Sequence, residues 1–251
     1  MLTNRLKINS DKTEFMVITT PHYQTTYQAL QPAVCVGGVR VHAVPSLRNL
    51  GVTMDSTMNM HAQIQSVKNI MFHHLRTISS IRRFLDKDTC VKAVLSLVMS
   101  RVDHCNSLLV GQSVAALRGL QLAQTYAARL VMGRRWRDHV TSALRALHWL
   151  PIHQRVRYKV LCLLYKTMYT GEAPAYMGSM VNRYTPDRTL RSTTTTVRLV
   201  VPCTRLSCVG RCFSVSAPAG WNALPPHFHH CRTLNSFKTG LKTHLFREHF
   251  S

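Results

Sequence analysis

The spacing of apolar residues changes along this chain, and the changes mark its elements. Residues 1–9 read as the end of a helix, so the chain is expected to start in mid-structure. Residues 15–20, Phe-Met-Val-Ile-Thr-Thr, have the β-branched, apolar character of a buried strand. Residues 34–41 place two alternating strands around Gly37-Gly38, which supply the positive φ angles of a tight hairpin turn. A further strand over residues 47–54 is expected to close a small antiparallel sheet.

From Ser56 the period becomes helical. Met60, Ile64, Val67, Met71, Leu75, Ile78 and Leu85 recur at three- and four-residue spacing, which predicts one long amphipathic helix with a basic opposite face. A second helix is expected over residues 88–110, with an aspartate at its positive end. A third, residues 113–132, buries Leu117, Leu120, Ala127, Leu130 and Val131 and is stopped by Gly133. A short helix to Leu147, a turn at His148-Trp149-Leu150-Pro151 and a helix from Pro151 to about Thr170 follow, the last carrying Arg155, Arg157, Lys159 and Lys166 on its surface. Beyond Pro174 the texture shifts to Thr, Ser, Arg and Pro, and a domain boundary is placed near residues 175–185. Residues 193–196 lead into an expected strand at 197–202, residues 221–226 read as a turn anchored by Trp221, and Leu234, Phe237, Leu241, Leu245 and Phe246 predict a final helix. The fold class is therefore α+β, mainly α: a small antiparallel sheet over residues 1–55, a helical bundle over 56–175 and a basic carboxy-terminal domain over 176–251.

Charge narrows the function classes. In 251 residues, 32 Lys and Arg stand against 10 Asp and Glu, a net charge of +22. Residues 1–150 carry 18 basic and 7 acidic side chains and residues 151–251 carry 14 and 3, so the basicity is spread through folded segments and is not a tail. Such an excess points to a polyanion, bound by counterion release. The longest apolar run, residues 91–110, is broken by Lys92, Arg101, Asp103 and His104, which excludes a comfortable span of about 20 residues and leaves no membrane partner expected. The eight cysteines are scattered with no secretory signal read ahead of them, so reduced thiols in an intracellular protein, nuclear or cytoplasmic, are expected.

Asn4-Arg5-Leu6-Lys7-Ile8-Asn9-Ser10-Asp11-Lys12-Thr13-Glu14 before an apolar strand is similar to the fourth conserved palm motif of non-LTR (LINE-type, jockey/chicken-repeat-like) retrotransposon reverse transcriptases. Residues 44–55, Val-Pro-Ser-Leu-Arg-Asn-Leu-Gly-Val-Thr-Met-Asp, resemble the family's next motif, a hairpin of the primer-grip type, with Gly51 allowing a close approach and the long helix leading into the thumb. Residues 100–109, 127–131, 148–151 and 218–225 look like tail regions of the same elements, so the likeness spans nearly the whole chain. The resemblance implies a remnant of palm sheet, then a thumb-like bundle, then the basic tail domain. It also implies a piece cut off after the catalytic aspartates, which would hold RNA or an RNA–DNA hybrid without polymerising.

The acidic residues agree with a non-enzyme. Polymerase chemistry needs carboxylates that hold two metals, whereas Asp86 and Asp88 flank Lys87 at a helix start, where capping is the plainer role, and Asp11 and Glu14 straddle a turn. No catalytic residue and no cofactor are expected; the parent enzyme would use magnesium, but its ligands are absent here. Cys203, Cys208, Cys212 and Cys231, with His227, His229 and His230, lack the paired two-residue knuckles of structural zinc, so no metal ligands are assigned. His104 and Cys105 are adjacent on an expected helix and would point about 100° apart, which argues against a nucleophile–base pair. For nucleic acid the candidates are Arg134, Arg135, Trp136 and Arg137, where guanidinium groups bridge phosphates and an indole stacks on a base. Arg82 and Arg83 come second, and Lys12 is included because the resemblance places a lysine of this motif near nucleotide phosphates. Two other readings remain: a retroelement relic with no selected activity, and a repurposed protein-interaction domain.

Overall fold

In the computed structural model, which describes residue 9 and residues 12–135, 137–185 and 197–250, the chain divides into two units, Met1–Gln65 and Ser66–Ser251. The helix expected over residues 1–9 falls, apart from Asn9, outside the described residues. In the first unit, α1 (Gln24–Leu30) precedes β1 (Ala33–Val36) and β2 (Val39–His42), which pair antiparallel with Val36 opposite Val39. Gly37 and Gly38 sit at φ +58° and +84°, the left-handed pair that a two-residue turn of this twist requires. The stretch 47–54, expected as one strand, is instead a second hairpin: β3 (Ser46–Asn49) and β4 (Val52–Asp55) turn back at Leu50 and Gly51, again both at positive φ. The two hairpins form separate sheets.

Residues 15–20 do not form the expected strand. Phe15 makes a single parallel bridge to Ala43, with Val44 donating to the Phe15 carbonyl at 2.8 Å, and Thr19 donates to the Ser56 carbonyl at 2.8 Å. The neighbouring chain at this point carries Pro45, which has no N–H to extend a ladder. After β4, the Asp55 carboxylate accepts from the Thr57 N–H, the Thr57 hydroxyl and the Asn59 N–H, which turns the chain into α2 (His61–Ile81). Gln63 then accepts from the Thr53 N–H at 2.9 Å and ties the start of α2 to β4.

In the second unit α2 stops at Ile81 rather than continuing to Leu85, because Arg82–Phe84 tightens into a 3-10 turn and Leu85 is extended. The expected continuous helix 88–110 is broken into α3 (Lys87–Val94), a π segment (Leu95–Met99) and α4 (Ser100–Asp103). Asp86, not Asp88, is its cap and accepts from the Thr89 N–H; the Thr89 hydroxyl first, and then this N–H, hold the Asp86 carboxyl below its ordinary pKa. Hydroxyls of Ser96 and Ser100 bond back to the carbonyls of Lys92 and Ser96, the competition that loosens a helix, and Cys105 at φ +53° ends it. A 3-10 turn, Asn106–Leu109, leads to α5 (Val114–Met132), which keeps its expected signals: Ser113 caps it by accepting from the Ala116 N–H, and Gly133 at φ +62° ends it.

α6 (Val140–Ala146) leads through Trp149 and Leu150, both buried, to α7 (Ile152–Tyr165) with Pro151 as the residue before the helix rather than its first. The turn is pinned by glutamines of α5: Gln124, fully buried, donates to the Leu150 carbonyl at 2.8 Å, and Gln121 accepts from the Ile152 N–H at 3.0 Å. A π turn, Lys166–Thr170, then α8 (Ala175–Ser179), α9 (Ser207–Gly210), α10 (Phe213–Asn222), a 3-10 turn (Pro226–His230) and α11 (Leu234–Phe250) complete the chain. The chain is thus α+β and mainly α.

The boundary expected near residues 175–185 falls inside one core. Leu161, Leu164 and Tyr165 of α7 pack with Trp221 of α10 and with Phe237, Leu241 and Leu245 of α11. Trp221, read from sequence as anchoring a turn, lies on α10, is fully buried and donates its indole N–H to the Val197 carbonyl at 2.8 Å. The strand expected at 197–202 is reduced to one bridge between Arg183 and Leu199, since the Asn222 carboxamide bonds both the N–H and the carbonyl of Leu199 in place of a strand partner. Residues 193–196 lie outside the described residues. His229 stacks on Trp221 with ring centroids 4.9 Å apart, and burial pushes its pKa down.

Two outcomes follow from this shared core. Trp221→Ala should cost about 3–5 kcal/mol and shift a single urea transition followed by helical circular dichroism; an unshifted component from the remaining helices would restore a separate carboxy-terminal domain. A His229 held below its ordinary value of 6.5 favours the neutral ring in the folded state, so its stabilisation is full above that value and lost as pH falls through the folded one. The melting temperature should therefore drop between about pH 7.5 and about pH 5.5, and His229→Phe should flatten that dependence.

Candidate nucleic-acid interface

The end of α5 gathers two of the basic stretches that the sequence leaves apart. The last carbonyls of a helix lack intrahelical partners and carry its negative pole. Arg82 meets that need: Nε donates to the Leu130 carbonyl at 2.9 Å, Nη2 to that of Val131 at 3.2 Å, and Nη1 to that of Leu85 at 2.7 Å. Its guanidinium therefore closes the corner between α2 and α5, a structural role that the sequence did not indicate for this candidate phosphate ligand. Arg83 beside it is exposed, with its guanidinium 4.6 Å from the ring centroid of Phe84, which is itself 73% exposed.

Beyond Gly133, the Asp138 carboxylate accepts from the Arg135 N–H at 2.8 Å while the Asp138 N–H donates to the Arg135 carbonyl. Arg129 donates to the Asp138 carbonyl at 3.1 Å, and Arg134 reaches the Ser142 hydroxyl at 2.6 Å at the start of α6. Arg134 is half-buried and takes part in holding this turn, whereas Arg135 and Arg137 are exposed. Trp136 lies outside the described residues. Lys12 is exposed in the first unit, and of the motif before it only Asn9 is described.

A second basic surface was not singled out from the sequence. α7 and α11 run antiparallel: Arg157 pairs with Glu248 at 2.8 Å, and two turns further along α7 Tyr165 stacks on Phe237 with centroids 4.4 Å apart. This register brings Lys159 and Lys166 of the α7 side and Lys238 of α11 within electrostatic reach of Cys162. Cys162 lies among them; burial raises its thiol pKa, and Lys238, Lys159 and Lys166 pull it the other way. Lys166 pairs with Glu172 at 2.9 Å. The signal was present as Lys159, Cys162 and Lys166 on one stripe and Lys238 and Lys242 on another, but nothing local says the stripes meet.

Other side chains expected on the surface of α7 are engaged. Arg155 forms a two-pronged ion pair with Asp103, through Nε–Oδ1 at 3.0 Å and Nη2–Oδ2, with its side chain only 19% exposed. Most of the described carboxylates serve the fold in this manner, including Asp55, Asp86, Asp138 and Glu248. His104 and Cys105 do touch, with Cys105 Sγ 3.7 Å from His104 Nε2, because the helix ends at Asp103 and the 100° argument no longer applies. All eight cysteines are free thiols, and among the described residues no three His, Cys, Asp or Glu side chains gather as a metal group. Among the same residues no helix is long and apolar enough to cross a membrane. Compared with known protein families, curated proteins and solved structures, the chain matches none.

The neighbouring arginines should separate in experiment. Arg82→Ala leaves three carbonyls without their charged donor and should lower stability by about 1–3 kcal/mol, whereas Arg83→Ala should leave the melting temperature within experimental error. Equal stability losses at the two positions, measured by thermal circular dichroism, would contradict the assignment.

Proposed function

We propose that this chain holds RNA or an RNA–DNA hybrid by its phosphate backbone, as a segment derived from a non-LTR retrotransposon reverse transcriptase, without a polymerase centre of its own. The observation that carries this reading is the unequal use of charge: basic side chains outnumber carboxylates 32 to 10, and most of the described carboxylates cap a helix, hold a turn or pair with an arginine or lysine of the chain itself. What is left for a partner is positive. Arg83, Arg135 and Arg137 at the end of α5 and the lysines of the α7–α11 seam suit phosphates, since each phosphate neutralised releases condensed counterions. In this reading the two hairpins are the remnant of the palm sheet and the following helices the thumb. The order of the motifs supports the origin, and the absence of a paired-aspartate turn supports the lack of metal-dependent chemistry.

The test is the salt dependence of RNA binding, followed by fluorescence anisotropy. Affinity should fall steeply with salt, and replacing Arg83, Arg135 and Arg137 together by Ala should flatten the logarithmic slope by about 0.7 for each phosphate no longer neutralised. Unchanged affinity and slope would remove the α5 end from the binding surface, and no binding by the folded chain at low salt would remove the reading itself.

A further inference from the structure

The first unit holds a half-open cavity of about 460 Å³ between α1 and the chain leading into and out of the hairpins. Its size is that of a small-molecule site, for which about 300–1,000 Å³ is usual. Val17, Val44, Pro32 and Pro45 give it apolar walls, and Gln24, Gln28, Gln31, Thr19 and Ser56 set amide and hydroxyl groups around them. Gln24 donates to the Ser56 hydroxyl at 3.4 Å; the carboxamides of Gln28 and Gln31 have no partner among the described residues. Tyr27, a residue 42% exposed, lines the same space on a helix that buries none of its residues.

The lining contains no Lys, Arg, Asp or Glu. In a chain of net charge +22 the scarcity of cations here is a chemical statement: His42 is the single ionisable imidazole of the lining, and a phosphate or a carboxylate would meet no lysine or arginine. The groups present suit a flat, uncharged heterocycle whose edge carries both donors and acceptors. A carboxamide meets such an edge two bonds at a time, as Gln does with adenine, and an exposed tyrosine ring offers a stacking face worth about 1–3 kcal/mol per base.

We propose that this cavity takes a nucleobase, an unstacked base of a nucleic-acid strand, read by Gln28 and Gln31 and stacked on Tyr27. The proposal rests on the nucleic-acid reading above, but its chemistry is independent of charge. RNA loops and single strands present bases in this splayed form.

The probe is adenosine, which has no phosphate, titrated into the full chain by calorimetry, beside a short oligoadenylate and the same backbone carrying abasic residues. Adenosine should bind, with little dependence on salt, and Gln28→Leu and Tyr27→Ala should each weaken it about tenfold while circular dichroism and the salt slope for the oligonucleotide stay unchanged. The abasic backbone should bind more weakly than oligoadenylate and be indifferent to both substitutions. Failure of adenosine to bind, or adenosine binding that both variants leave unchanged, overturns the cavity assignment and leaves backbone binding standing. Binding of adenosine in the cavity by a chain that ignores the oligonucleotide overturns the nucleic-acid reading instead and leaves the cavity a base site.

Discussion

The second unit depends on the burial of α7 from more than one side. Ile152, Val156, Val160, Leu161, Leu164 and Tyr165 are all buried, and no single neighbour covers them. The first turns of the helix lie under glutamine bonds from α5 and the ion pair from Asp103, while its second half meets α10 and α11. Covering this one helix draws together elements far apart in sequence and makes a single core of what composition would divide. The same packing fixes the antiparallel register that lines up lysines of α7 and α11, so the basic seam is a consequence of core formation.

Scarcity of carboxylates shapes the rest. With so few acids, the chain neutralises buried or strained points with the groups it has, and arginine does much of this work by donating to main-chain carbonyls. Arg82 at the end of α5 is the clearest case, and Arg129 and Arg134 act similarly around the following turn. A guanidinium with several N–H groups in a fixed fork can close a corner in this way, where a lysine would serve one or two bonds without fixing direction. Arg83, Arg135 and Arg137 are exposed basic groups, as is Lys159 of the seam, whereas Lys166 is paired with Glu172. The first unit offers a different environment, a cavity lined by no Lys, Arg, Asp or Glu.

Local chemistry was legible where a residue acts on its own neighbours. The Gly37-Gly38 turn, the Ser113 cap and Gly133 stop of α5, and the apolar stripes of α2 and α11 were all readable, because a left-handed φ, a cap and a 3.6-residue period are fixed within one or two turns of chain. The excess of basic residues was equally plain. Legibility failed where a distant group replaced the expected partner. Asn222 substitutes for a strand beside Leu199, and Pro45 denies residues 15–20 a ladder. Serine hydroxyls interrupt the helix after α3, and the chain between β3 and β4 folds back on itself.

For the candidate sites the division is sharper. By itself the sequence determined the helical class, the main helices and the large excess of positive charge, since these are sums over residues or patterns within a turn. Only the tertiary structure decided which basic residues are open to a partner, because Arg82 and Arg83 differ in nothing local: one side chain meets the carbonyls of α5 and the other does not. It alone also brought Lys159, Lys166 and Lys238 around Cys162 and set Tyr27, Gln28 and Gln31 around one cavity, since burial and proximity are properties of how elements pack.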